Sequence, residues 1–150
     1  MPEKETIERA REDARQGKSP STQAGEFVRE EIEHVREGKH GARSAKQAIA
    51  IGLSKARRAG IKLPVPKEGK VSDEVRRQAM RDSAKGQHGS QPPSPKRSRA
   101  VTAALKREGR QAASHLALSR QAHASARQRS AASRSRAAQK AVRTKRLNSE

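Results

Sequence analysis

Positively charged residues frame one stretch of this sequence, KHGARSAKQAIAIGLSKARRAG at residues 39–60. Its first cations lie where a glycine-containing loop runs into a predicted helix. There, free backbone amides and the helix dipole favour a phosphate group, and glycine lets the backbone approach such a ligand closely. The spacing therefore predicts a phosphate-binding surface, the basic patch, made of Lys39, Arg43, Lys46, Lys55, Arg57, Arg58 and Lys62.

The same residues also admit a purely structural interpretation. Arg57 and Arg58 could satisfy the last carbonyl groups of the predicted helix. Gly38 and Gly41 could be ordinary turn residues. The sequence leaves both interpretations of the basic patch open.

A denser set of cations lies in the last part of the chain. Residues 91–150 carry 15 Lys or Arg and 2 acidic residues, whereas residues 1–38 have a net charge of −3. Such a basic segment is expected to bind a nucleic-acid backbone with steep salt dependence. The expected contacts, which we call the C-terminal cations, are Lys96, Arg97, Arg99, Arg127, Arg129, Arg134, Arg136, Lys140, Arg143, Lys145 and Arg146.

Other kinds of chemistry are expected to be absent. The single aromatic residue, Phe27, belongs to a predicted core, so no platform for stacking bases is expected. The histidines share no ligand spacing, so we predict no metal site, and the glutamates of residues 26–37 are expected to form a solvated face. Without cysteine or a rigid pocket, we also predict no catalytic residue, no cofactor and no enzyme.

The composition predicts that much of the chain is disordered. Ile, Leu, Val and Phe together number 19 of 150 residues, and the net charge is +19. Few large apolar side chains combined with high charge are typical of chains that do not fold compactly. We therefore expect a mainly α-helical protein with a marginal helical hairpin, short flanking helices and a long, largely disordered basic tail.

Hydrophobic spacing and capping residues locate the predicted elements. Residues 21–37 place Ala24, Phe27, Val28, Ile32 and Val35 on one helical face. Glu31 falls inside that stripe, where a carboxylate is costly unless it is paired or solvated. Ser44 and Gln47 form a capping box at the start of the next helix. The expected segments are an N-terminal helix and linker (1–20), the hairpin (21–63), a linker and short helix (64–90) and the tail (91–150).

Two parts of the chain resemble known families. RSAKQAIAIGLSKARRAG (43–60), preceded by STQAGEFVREEIEHVREGKHG (21–41), resembles a family of small basic bacterial proteins that share a KQAIAIxLSxAxxAG segment. This resemblance extends over roughly residues 3–85 and implies a helical, bacterial protein of a kind often labelled DNA-binding. The tail resembles those of linker-histone-like proteins, and SPKR at 94–97 is similar to their Ser-Pro-Lys-Lys turns, although a single copy favours a plain proline linker with nearby charge.

The function predicted from these observations is non-enzymatic, largely sequence-independent binding of double-stranded DNA. No signal peptide or membrane-spanning run is visible, so we expect a cytoplasmic protein of the nucleoid with no membrane or small-molecule partner. One alternative is a protein-interaction or stress-response protein whose hairpin docks a partner or dimerises. Another is an RNA- or ribosome-associated factor.

Overall fold

The computed structural model describes residues 1–89 and 92–149, so the predicted boundary between residues 90 and 91 lies outside the described residues. The chain falls into two compact units, Met1–Ser114 and a second unit from His115 onward. None of the described helices is both long and apolar enough to cross a membrane. The described helices are α1 (Lys4–Arg15), α2 (Pro20–Glu37), α3 (Ala45–Arg58), α4 (Asp73–Gln87), α5 (Pro95–Lys106), a 3-10 turn (Gln111–Ala113), α6 (His115–Arg127) and α7 (Ala131–Leu147).

Local capping defines the two central helices. Ser19 precedes α2 with Pro20 in its first turn, and Gly38 ends it in the left-handed conformation (φ 76°). At the start of α3, the Ser44 hydroxyl accepts from the backbone N–H of Gln47 (3.1 Å), as predicted. The Gln47 side chain returns to the backbone N–H of Arg43 (2.6 Å), one residue before the N-cap. The predicted capping interaction is thus confirmed, with its second bond displaced by one residue.

The core of the first unit is built largely from alanine. Phe27 packs with Ala10, Ala24 and Ala56, and partly buried residues of α1, α3 and the following segment surround them. The predicted apolar face of α2 is confirmed, because Ala24, Phe27, Ile32 and Val35 are buried. Helix α2 contacts both α1 and α3, and α4 packs on α3. Small side chains therefore allow close helix packing where large apolar residues are few.

A glycine permits the closest approach between α2 and α3. A Cβ atom at Gly52 of α3 would lie 2.6 Å from Cα and 2.9 Å from the backbone nitrogen of Val28 on α2. Both are backbone atoms, so the two helices would have to move apart to accommodate any side chain.

We therefore expect Gly52→Ala to lower the free energy of unfolding by about 1–3 kcal/mol through overpacking. Gly25→Ala is the matched control, because Gly25 lies within α2 with nothing within 4 Å of the added atom. That control should raise stability by about 0.5–1 kcal/mol through helix propensity. Urea unfolding followed by circular dichroism measures both. Equal effects would show that the close contact does not limit packing.

The prediction of a long, largely disordered tail is wrong. Residues 95–147 form α5, the 3-10 turn, α6 and α7. None of these three α-helices has a buried residue, so their side chains gain little from packing. The sequence estimate counted large apolar residues, whereas alanine and arginine favour helix without them. The tail also supplies its own caps, since Ser94 accepts from Arg97 N–H and Ser130 accepts from Ser133 N–H.

The first part of the predicted tail belongs to the first unit and packs against α2 and the loop before α3. The backbone N–H of Gly41 donates to Leu105 O (2.9 Å), and that of Ala42 donates to Gly109 O (3.1 Å). Arg36 on α2 donates through Nε to Ala113 O (2.9 Å), and Ala113 is buried. Residues 105–113, which we call the docked segment, are therefore held by hydrogen bonds to their backbone carbonyl groups rather than by large apolar side chains.

A side chain at Gly41 should release the docked segment. An added Cβ there would collide with the backbone carbonyl of Glu108, which cannot move aside as a flexible side chain could. We expect Gly41→Ala to accelerate tryptic cleavage after Lys106, Arg107 and Arg110. In Gly109→Ala the added atom meets nothing within 4 Å, so this variant is the control. If the two variants are cleaved at the same rate, the close approach at Gly41 does not hold the segment.

Candidate nucleic-acid interface and buried charge cluster

Glu31 of α2 is fully buried and gathers partners from three elements. The Nζ atom of Lys55, on α3, donates to Glu31 Oε1. His40, in the loop between the helices, places Nε2 at 3.1 Å from Glu31 Oε2. His34, one turn further along α2, has Nδ1 at 3.9 Å from Glu31 Oε1. The carboxylate that falls inside the apolar stripe is therefore paired rather than solvated.

A second buried carboxylate lies beside the first. Glu30 accepts the backbone N–H of Glu3 (2.7 Å), and the Glu3 carboxylate lies 3.0 Å from His34 Nε2. The hydrogen bond from His34, and next that from Lys39, lowers the pKa of Glu3. Hydrogen bonds to Glu37 and Glu3 raise the pKa of Lys39. We call this group the charge cluster; it comprises Glu3, Glu30, Glu31, His34, Lys39, His40 and Lys55.

Arg57 and Arg58 tie the end of α3 to the following elements. Arg57 is buried and donates to Pro64 O (3.1 Å), and its burial lowers the pKa of the guanidinium while Asp82 acts in the opposite direction. Arg58 Nε lies 3.7 Å from the buried Asp82 of α4 and donates to Ser54 O (3.4 Å). Lys55 and Arg57 of the basic patch therefore point toward neighbouring elements, Lys55 toward Glu31 of α2 and Arg57 toward Pro64.

The glycine loop before α3 is covered by the protein itself. An added atom at Gly38 would lie 2.7 Å from the guanidinium of Arg110, and one at Gly41 would meet Glu108. The docked segment thus packs closely against the two glycines that were predicted to let the backbone approach a phosphate. Within the described residues, the members of the basic patch that are exposed and form no ion pair are Arg43, Lys46 and Lys62.

The C-terminal cations have a different environment. All eleven are exposed, and no ion pair is found for any of them within residues 92–149 as described. Their local partners are uncharged: Arg129 donates to Ser133, and Arg99 donates to Pro95 O. SPKR at 94–97 forms the N-cap and first turn of α5, not a free turn or a proline linker. Phe27 is buried in the core as predicted, away from any base-stacking role.

Sequence reasoning missed the convergence of histidines and glutamates. Ligand spacing within a sequence reveals pairs of histidines on one helical face. His34 lies on α2, whereas His40 lies six residues later in the loop, so the two do not show such a spacing. The glutamates of residues 26–37 do not form a uniformly solvated face, because Glu30 and Glu31 are buried. The sequence did contain one sign of this cluster: Glu31 and His34 are three residues apart in α2 and are therefore neighbours on the helix surface.

Breaking the pair between Lys55 and Glu31 should be strongly destabilising. Lys55→Gln leaves a buried carboxylate without its ammonium partner, which is expected to cost about 3–5 kcal/mol of unfolding free energy. Lys46→Gln removes the same charge from an exposed position of the same helix and should change stability by less than about 0.5 kcal/mol. Chemical unfolding at neutral pH measures the difference. Similar small changes in both variants would contradict a structural role for the buried pair.

Residues 4–68 match a family of unknown function (DUF6496). No curated protein and no solved structure matches the chain. The matched range includes α1, α2 and α3 and every member of the charge cluster except Glu3, and it ends before α4. It is shorter than the resemblance to residues 3–85 that the sequence suggested. Similarity to a family is thereby confirmed in its general form, while the bacterial origin and the DNA-binding label stay predictions.

Proposed function

We propose that this protein binds nucleic acid non-enzymatically and largely without regard to sequence, through the C-terminal cations. The observation that carries the proposal is their lack of anionic partners. From residue 115 to residue 149 the chain has nine Lys or Arg and no acidic residue. Cations held on exposed helices without counter-charges are suited to a phosphate backbone, from which they release condensed counterions.

The contrast with the N-terminal helices supports this assignment. Arg11, Arg15, Lys18 and Arg29 are each paired with a nearby carboxylate at 2.7–3.0 Å. A phosphate approaching those residues must compete with a carboxylate already present. At α7 the phosphate meets no competing carboxylate among the described residues. The same number of cations should therefore attract a phosphate more strongly on α7 than on the N-terminal helices.

Double-stranded DNA is the proposed partner, with the nucleoid as the corresponding location. Arg136, Lys140 and Arg143 share one face of α7, and a helix of 17 residues spans about 26 Å. Such a face can follow consecutive phosphates along one groove edge. Arginine and lysine contacts of this type position a protein on the duplex without reading its bases.

The test compares two full-length variants of equal net charge. One replaces Arg134, Arg136, Lys140 and Arg143 of α7 with Gln, and the other replaces the paired residues Arg11, Arg15, Lys18 and Arg29 with Gln. Binding to a labelled duplex is measured at several salt concentrations. We expect the α7 variant to reduce the slope of log affinity against log salt by roughly 3 to 4, at about 0.9 per phosphate contact. The control should change it far less.

Three outcomes would count against the proposal. Equal losses in both variants would show that net charge alone governs binding. A wild-type chain that ignores DNA in dilute buffer would exclude the function and favour a protein partner for the α2–α3 hairpin. Stronger displacement of the labelled duplex by single-stranded or double-stranded RNA than by unlabelled DNA would reassign the partner to RNA.

A further inference from the structure

The charge cluster holds more negative charge than its lysines neutralise. Lys39 pairs with Glu3 and Lys55 pairs with Glu31, whereas the third carboxylate, that of Glu30, accepts only the backbone N–H of Glu3 at hydrogen-bond distance among the described residues. Lys39 is additionally shared with Glu37 (3.2 Å). Glu30 is 2% exposed, and its Oε2 atom is buried with no hydrogen-bond partner. A buried carboxylate oxygen without a partner indicates a missing positive charge or donor at this point.

The two histidines are arranged as metal ligands usually are. His40 Nδ1 lies 2.9 Å from Gly41 O, and because a carbonyl oxygen can only accept, Nδ1 carries the proton. His40 Nε2 faces Glu31 Oε2 at 3.1 Å; this atom donates a hydrogen bond to the carboxylate when it carries a proton, and it offers a lone pair to a metal ion once that proton is lost. His34 donates through Nε2 to Glu3 (3.0 Å), which leaves Nδ1 toward Glu31. Metal-bound histidines typically hold a carboxylate or carbonyl with their outer nitrogen in this way.

We propose that Glu31, His34 and His40 bind a divalent transition-metal ion of the Zn²⁺ type. One ligand atom from each of these residues lies within 4.8 Å of the other two. A tetrahedral zinc ion with bonds of about 2.0–2.1 Å brings its ligand atoms to roughly 3.3 Å apart, so small side-chain adjustments suffice. Two imidazoles and one carboxylate form a ligand set that suits such ions. Glu3 and the Gly41 carbonyl orient the rings from outside.

Lys55 is the competitor for this ion, because its ammonium donates to the same Glu31 carboxylate. Metal binding would replace one positive charge with another and would join α2 directly to the loop that leads into α3. The ion would thus clamp the hairpin rather than create a reactive centre. This inference does not depend on nucleic-acid binding, because none of the C-terminal cations belongs to the cluster.

The test is a titration of the full-length wild-type chain with ZnCl₂ by calorimetry, and with Co²⁺ by visible absorption. We expect one ion per chain, cobalt bands typical of a four- or five-coordinate site with nitrogen ligands, and a rise in unfolding temperature on adding ZnCl₂. His40→Ala and His34→Ala should each weaken Zn²⁺ binding by about tenfold or more. His115→Ala and His123→Ala, which alter exposed histidines outside the cluster, should leave it unchanged.

Lys55→Gln should change the stabilisation by ZnCl₂ in the opposite direction to the two histidine variants. Removing the competing ammonium should make the ZnCl₂-induced rise in unfolding temperature larger than in the wild-type chain. If the histidine variants fail to fold, the wild-type titrations with ZnCl₂ and Co²⁺ still test whether the chain binds one metal ion. Absence of binding at micromolar concentrations, cobalt bands of a hydrated octahedral ion, or equal losses in the His115 and His123 variants would each overturn the proposal.

Discussion

The burial of the Glu31 carboxylate is the constraint on which the first unit depends. A carboxylate inside an apolar face must be paired, and its partners come from α3 and from the loop that precedes it. The surrounding core is mostly alanine, whose small side chains select one helix register only weakly. A shift of α3 by one turn would carry Lys55 away and leave Glu31 uncompensated. Electrostatic pairing therefore specifies an arrangement that apolar packing alone would define poorly.

The same requirement divides the charges of the chain into two populations. Near the N-terminus, arginines and lysines are paired with carboxylates on α1, on α2 and across the charge cluster. Beyond Ser114, the described helices carry cations with no carboxylate to meet. The net charge does not reveal this difference, because an arginine in an ion pair and an unpaired arginine each contribute +1 to it. The availability of a cation to an external phosphate depends on its nearest anion, and the exposed cations of α5, α6 and α7 form no ion pair among the described residues.

Local signals allowed α1 to α4 to be predicted, because caps and apolar spacing act over a few residues, whereas α5, which also belongs to the first unit, was assigned to the disordered tail. Ser44 with Gln47 and the stripe through Phe27 are of this kind. The partners of Lys55 and Arg57 could not be predicted, because residue spacing within one helix contains no information about the neighbouring elements. The tail was mispredicted because the number of large apolar residues indicates only whether a core can form. Alanine and arginine, with serine caps, can define helices that have no core.

The docked segment contacts the loop at which the most conspicuous motif of the sequence predicts a phosphate site. Backbone amides of the loop before α3 donate to Leu105 O and Gly109 O, so these donors are already used. Lys39 is held by Glu3 and Glu37, and Gly38 lies against the guanidinium of Arg110. A phosphate at this loop would have to displace backbone hydrogen bonds and an ion pair together. At α7 the same phosphate would meet exposed cations that have no ion pair among the described residues, and for this reason the proposed function assigns the phosphate contacts to the C-terminal helices.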